Sequence, residues 1–275
     1  MLSSRSFKSA STAALAAVVL TSSAAYSEEY TPVEIMPASP VRTGGRPADI
    51  LGISPGMKCS EALDLLKRAY REEAVRTQHQ RIQTSYKGLE VSTTPFLTEI
   101  SVAADNEGTG DSIGIYCSGI AGGNQVVMLN RRLSFGSDPL DAPSVADLER
   151  SLIEKYGPQS ADADRATGFY WHWIYKDEVQ IACNPRSYDC DSDSVSSYSP
   201  QMFSNWLNDR SSRGIVITGK VEPSYDDRMK GAYLSVQVTD VARRNDAARA
   251  DYDSLMAEAV RQHGLKSVSG AIPKL

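Results

Sequence analysis

Two helix signals, each followed by a train of alternating strands, restrict this chain more than any other feature. The first comes after Ser54-Pro55-Gly56-Met57. Ser60 stands at a capping position, and Ala62, Leu65, Leu66 and Ala69 recur on one face, which predicts a helix over about 61–71. The second opens on Ser144-Val145-Ala146-Asp147, a capping-box pattern with Asp at the third helical position. Val145, Leu148, Leu152 and Tyr156 share its apolar face, and Gly157-Pro158 supply the stop. Strand-like alternation follows the first helix at 99–102, 113–117 and 125–135, with turns at 105–111 and 121–124. It follows the second at 169–175, 178–183, 214–221 and 232–241. A last helix is predicted over about 246–263 with Ala248, Tyr252, Leu255 and Ala259 turned inward. This order predicts an α+β fold built as a tandem pair of helix-plus-antiparallel-sheet units, 49–140 and 141–265, the second carrying the C-terminal helix.

What precedes residue 49 reads differently. Arg5 and Lys8 form a positive start, residues 13–20 an uncharged apolar run, and Ser23-Ala24-Ala25 a small-residue cleavage site. Residues 1–25 therefore predict a cleaved signal peptide, since the apolar run is shorter than the roughly 20 residues a spanning helix needs. Residues 26–48, with four prolines and a Gly-Gly pair, predict a flexible linker. Removing the leader leaves 27 basic against 34 acidic side chains, a formal charge near −7. That sign argues against nucleic acid as a partner and against adsorption to anionic lipid. No later segment reaches spanning length, so no membrane insertion is expected after cleavage, and the destination is periplasmic or secreted.

Export changes the meaning of the four cysteines, Cys59, Cys117, Cys183 and Cys190. An even count in an oxidising compartment predicts disulfides. Cys183 and Cys190 flank a turn-like Asn184-Pro185-Arg186-Ser187 and can close a small loop, leaving Cys59 to join Cys117. The spacing is not that of a metal site.

The stretch Ile50-Leu51-Gly52-Ile53-Ser54-Pro55-Gly56-Met57 with Ser60-Glu61-Ala62, and later Leu152-Ile153-Glu154-Lys155-Tyr156-Gly157-Pro158, resembles a pattern in exported proteobacterial proteins of unknown function. It is also similar to the fold shared by β-lactamase-inhibitor proteins and the small outer-membrane assembly lipoprotein. That resemblance implies helices over an antiparallel sheet, sometimes in tandem. It brings no catalytic residue, and the lipidated cysteine of the lipoproteins is missing here.

No chemical motif stands out. His79, His172 and His263 are scattered, with no HExxH pair. Gly110-Asp111-Ser112-Ile113-Gly114 matches G-x-S-x-G only as letters, inside an alternating strand, and neither it nor Gly108-Thr109-Gly110 has the following helix that a nucleophile elbow or a phosphate loop requires. Asp189, Asp191 and Asp193 alternate like calcium ligands, but Ser194 and Pro200 stand where an EF-hand needs Gly and Glu. No metal or cofactor is expected. In Phe169-Tyr170-Trp171-His172-Trp173-Ile174-Tyr175, alternation puts Phe169, Trp171, Trp173 and Tyr175 on one face and His172 on the other. Two functions fit. One is a non-catalytic binding or inhibitory module for another envelope or extracellular protein, using its sheet face or Arg186, Tyr188 and Tyr198 near the 183–190 loop. The alternative is a hydrolase assembled from scattered residues around His172, with Asp177 as a first carboxylate.

Overall fold

The computed structural model describes residues 28–43, 45–106, 109–136, 142–165, 167–184 and 214–269. The fold is α+β, with helices packed on mostly antiparallel sheet. Among the described residues no helix is long and apolar enough to cross a membrane. Helix α1 (Cys59–Ala69) begins before the expected Ser60 cap: Lys58 is its N-cap residue and makes no side-chain cap bond. The loop 118–125 does that work, because the carbonyl of Asn124 accepts the Cys59 N–H at 3.0 Å. Helix α2 (Val145–Tyr156) follows its sequence pattern. Ser144 Oγ accepts the Asp147 N–H at 3.0 Å and donates to the Asp147 carboxylate at 2.6 Å, and the four expected residues are buried. Ser144→Ala should cost about 1 kcal/mol in an unfolding titration.

Eight strands form one continuous antiparallel path. In chain order they are β4 (Val75–Gln80), β7 (Phe96–Asn106), β8 (Thr109–Cys117), β9 (Val126–Ser134), β10 (Ala161–Arg165), β11 (Gly168–Lys176), β13 (Ile215–Pro223) and β14 (Gly231–Asp240). In space the order is β10-β11-β13-β14-β9-β8-β7-β4, and the two-residue β12 (Val179–Gln180) pairs with β11. The middle of the sheet is the β9·β14 pair, with Leu129 opposite Val238 and Leu133 opposite Leu234. Alternation sends Ile100, Ile115, Leu129, Val238, Ile217 and Trp173 into one core beneath α1 and α2. The other face receives helix α3 (Val241–Ser269), whose Ala247 and Ala248 pack on Tyr116, Val127 and Met128. A second sheet, β1-β6-β5 (Glu28–Tyr30, Leu89–Thr93, Gln83–Tyr86), lies under the later turns of α3, against Leu255 and Ala259.

The segment expected to be a free linker, 26–48, is docked along its described length. Strand β1 runs parallel to β6, the N–H groups of Ile35 and Met36 both reach the Ala121 carbonyl, and Val41 N–H reaches Pro55. A two-residue ladder, β2 (Arg42–Thr43) with β3 (Arg46–Pro47), then brings Arg46 to the Ile153 and Glu154 carbonyls at the end of α2. Backbone bonds and ion pairs such as Lys58–Glu34, 2.7 Å, hold this strap together with its few large apolar side chains, Tyr30, Met36 and Val41, each packed on a core cluster. Composition alone therefore reads it as free.

The loop after Cys117 is a polar knot. The buried Asp251 carboxylate of α3 accepts N–H bonds from Gly119 at 2.7 Å and Gly122 at 2.9 Å, with Ala121 as a third backbone donor. Gly119 must be glycine, since a Cβ there would sit 2.5 Å from that carboxylate. Gly123, with φ +93°, lies under the strap, where a Cβ would meet the Met36 carbonyl at 2.3 Å. Ser118 Oγ donates to the Gly122 carbonyl and accepts the Gln125 N–H, and Arg243 donates to the Gln125 amide oxygen. These contacts overturn part of the expected α3 face. Ala248, Leu255 and Ala259 are buried as predicted, but Tyr252 is exposed and Asp251 takes the inward position beside it.

Candidate functional site

The aromatic strand is core. Trp171, Trp173 and Tyr175 are buried toward α2, their polar atoms spent on Glu149, the Gly157 carbonyl and the Tyr156 carbonyl respectively. His172 faces the other way and is fully buried in mid-strand next to Ile174. Asp177 lies beyond the strand's end, in a tight turn where Asp177 and Glu178 have φ of 49° and 64°. Five residues of extended chain separate its backbone from that of His172 by about 15 Å. The histidine and its suggested carboxylate are therefore not brought together. His79 is exposed on β4, and His263 meets the Tyr86 ring edge-on at 5.7 Å. Among the described residues no three His, Cys, Asp or Glu side chains cluster as a metal site would require.

Cys59 and Cys117 form a disulfide that ties the start of α1 to the end of β8, with Cα atoms 6.2 Å apart. Cys183 is also disulfide-bonded. Cys190, Arg186, Tyr188, Tyr198 and the Asp189–Asp193 run lie outside the described residues.

A different set of side chains is brought together on the face of the sheet opposite α1 and α2. Helix α3 packs over the rung that carries Tyr116 and Met128. Farther along the strands, strand register aligns Tyr170, Lys220, Ser235, Arg132 and Ser112 in one rung. Glu222, Tyr233, Ser134 and Gly110 form the next. The Arg132 guanidinium lies 4.2 Å from the Tyr233 ring centroid and 3.0 Å from Glu222. Glu222 also takes Lys220 at 2.8 Å, and Lys220 and Arg165 both approach the Tyr170 ring, at 5.5 and 4.9 Å. Burial works against the charge on Lys220, but Glu222 and Tyr170 outweigh it and hold its pKa above the ordinary lysine range.

The result is a ladder of tyrosines and cations across five strands, bordered by a groove of about 290 Å³ along Gly110, Ser112, Arg132, Ser134 and Tyr233. Tyr233 is 36% exposed. Such a surface offers cations, hydroxyls and ring edges in fixed positions, the inventory of recognition rather than of proton transfer. Reasoning from sequence did not single these residues out. Their trace is only the polar side of predicted strands, as at Lys220 and at Tyr233/Ser235, and strand register, which decides what they meet, cannot be read from one strand alone. No protein-family model matches the chain, and neither does any curated protein or solved structure.

Proposed function

We propose that this chain is an exported binding or inhibitory module that acts on another envelope or extracellular protein through its open sheet face, without chemistry of its own. The observation that carries the reading is the tyrosine–cation ladder of Tyr233, Arg132, Glu222, Lys220 and Tyr170. Tyr and Arg are the residues that most often anchor protein interfaces, and here each is held by a neighbour before any partner arrives. The N-terminal leader pattern and the Cys59–Cys117 bridge support an oxidising destination, periplasmic or extracellular. We further propose that the two halves are a tandem pair. Each runs from a helix into four strands of the main sheet, and their final strands, β9 and β14, meet at the centre.

The test is capture of a partner by the mature, oxidised protein from envelope extract, repeated with Tyr233→Ala and Lys220→Glu. Both variants should stay folded, Lys220→Glu with a modestly lower thermal midpoint because it sets a carboxylate beside Glu222, and bind the recovered partner 10- to 100-fold more weakly. Equal capture by the variants, or hydrolytic activity that survives purification while no partner is recovered, would sink the reading.

A further inference from the structure

The opposite face of the sheet carries a cleft of about 420 Å³ where β9 meets β14. Leu133, Leu234 and Val236 line it from the strands, Leu152 and Tyr156 from α2, and the turn 49–52 completes it. We infer that this cleft binds a small amphipathic acid, its apolar body against Leu133, Leu234 and Val236 and its carboxylate against Arg131 and Lys155. The volume lies in the range of small-molecule sites, and a mostly apolar lining with a few placed polar groups is their usual make-up.

The cleft is preformed. Asp49 Oδ1 accepts both the Gly52 N–H at 3.0 Å and the Lys155 ammonium at 3.1 Å, while its carbonyl takes the Tyr156 hydroxyl at 2.9 Å. The turn is thereby clamped to α2. Arg131 is fixed by a two-pronged pair with Asp111, through Nε at 2.9 Å and Nη2 at 2.8 Å, and Tyr70 donates to the same carboxylate at 2.6 Å. Burial works to raise the Asp111 pKa, but the Arg131 and Tyr70 hydrogen bonds and the Arg131 charge hold it below the ordinary carboxylate range. Burial, with Asp111 beside it, pushes Tyr70 up to about 12, so it remains a donor.

Two features orient this frame toward an anion. In each ion pair the cation is the more exposed member: Arg131 27% against Asp111 20%, and Lys155 39% against Asp49 15%. The carboxylates carry further donors of their own, Tyr70 on Asp111 and the Gly52 N–H on Asp49, although Asp49 also lines the cleft. Leu51 adds an independent sign. It sits in the left-handed region at φ 55° while 41% exposed, in a two-residue turn that Asn or Gly would occupy without strain. A leucine held there at a cost of about 1 kcal/mol gives the cleft an apolar lip. Because the cleft and the tyrosine–cation ladder are on opposite faces, occupation of one leaves the other open.

Calorimetric titration of the mature, oxidised protein with decanoate and decyltrimethylammonium below their micelle concentrations, and decanol below its solubility limit, tests the inference. Decanoate should bind saturably at one site, at least tenfold more tightly than decanol, with the ammonium weakest. Val236→Phe, which fills the cleft, should weaken decanoate at least tenfold without moving the thermal midpoint. Leu51→Gly, which removes both the lip and the strain, should weaken it severalfold in a protein at least as stable as the parent. Lys155→Gln should narrow the gap between decanoate and decanol. Non-saturating uptake, equal binding of acid and alcohol, or decanoate affinity untouched by both Val236→Phe and Leu51→Gly would overturn it.

Discussion

Replacing Cys59 and Cys117 together by alanine should lower the free energy of unfolding by about 4 kcal/mol, the value the chain-entropy account gives for a loop of this length. The bridge spans 58 residues and closes a loop holding α1 and strands β4 to β8. For a chain of this size the same loss should appear as a fall in thermal midpoint of about 10 °C. Both sulfurs belong to fully buried residues in the core beneath α1, so the double replacement also leaves a small void. Mutation is the proper test here. A reductant would open the Cys183 bridge as well, and the two effects would merge. A change below about 1 kcal/mol would mean that the loop is already closed by noncovalent contacts in the unfolded ensemble.

The second large effect should come from Asp251. Asp251→Ala would leave the N–H groups of Gly119, Ala121 and Gly122 buried without their acceptor, at an expected cost of about 3–5 kcal/mol. Asp251→Asn keeps one of the two acceptor oxygens but turns its NH2 toward the other N–H, and should cost less than alanine without being neutral. The two also differ in pH dependence. Burial pushes the Asp251 pKa up to about 7 against the opposing pull of its three N–H donors. The folded protein therefore holds this proton more tightly than the unfolded chain does. Its contribution to stability is complete below pH 4 and declines as pH rises toward 7, because over that window only the unfolded chain gives the proton up. Urea titrations from pH 4 to 8 should show this decline in the parent and a flatter profile in Asp251→Asn. Parallel profiles for the two proteins would show that Asp251 folds as an ordinary ionised carboxylate.

How much of this was visible beforehand depends on whether a residue's partners are near it in sequence. α2 was legible down to its cap and stop because Ser144, Asp147 and Gly157 act on their own neighbours. The buried aromatic face of β11 was legible from alternation alone. The α1 cap was not, since its donor is satisfied by Asn124, 65 residues along the chain. Tyr252 was misplaced for the same reason: on an isolated helix it is a better inward residue than Asp251, and only the N–H groups of a distant loop make a carboxylate welcome there. Both candidate surfaces share this character. Arg132 meets Tyr233 and Glu222 across strand pairs, and Arg131 meets Asp111, so charge and ring positions depend on a register that emerges only when the sheet assembles.

The central β9·β14 pair has a consequence for how the chain reaches this state. Synthesis runs from the N-terminus, so β9 is complete roughly a hundred residues before β14 exists to cover its open side. Until then the future middle of the sheet is a bare edge carrying Leu129 and Leu133, the kind of edge that templates intermolecular pairing. A second molecule's β14 fits it as well as the chain's own. Slow completion of the second half should therefore yield exchanged dimers joined strand-for-strand at the centre, in which every contact of the monomer is kept and only the ownership of the strand has changed.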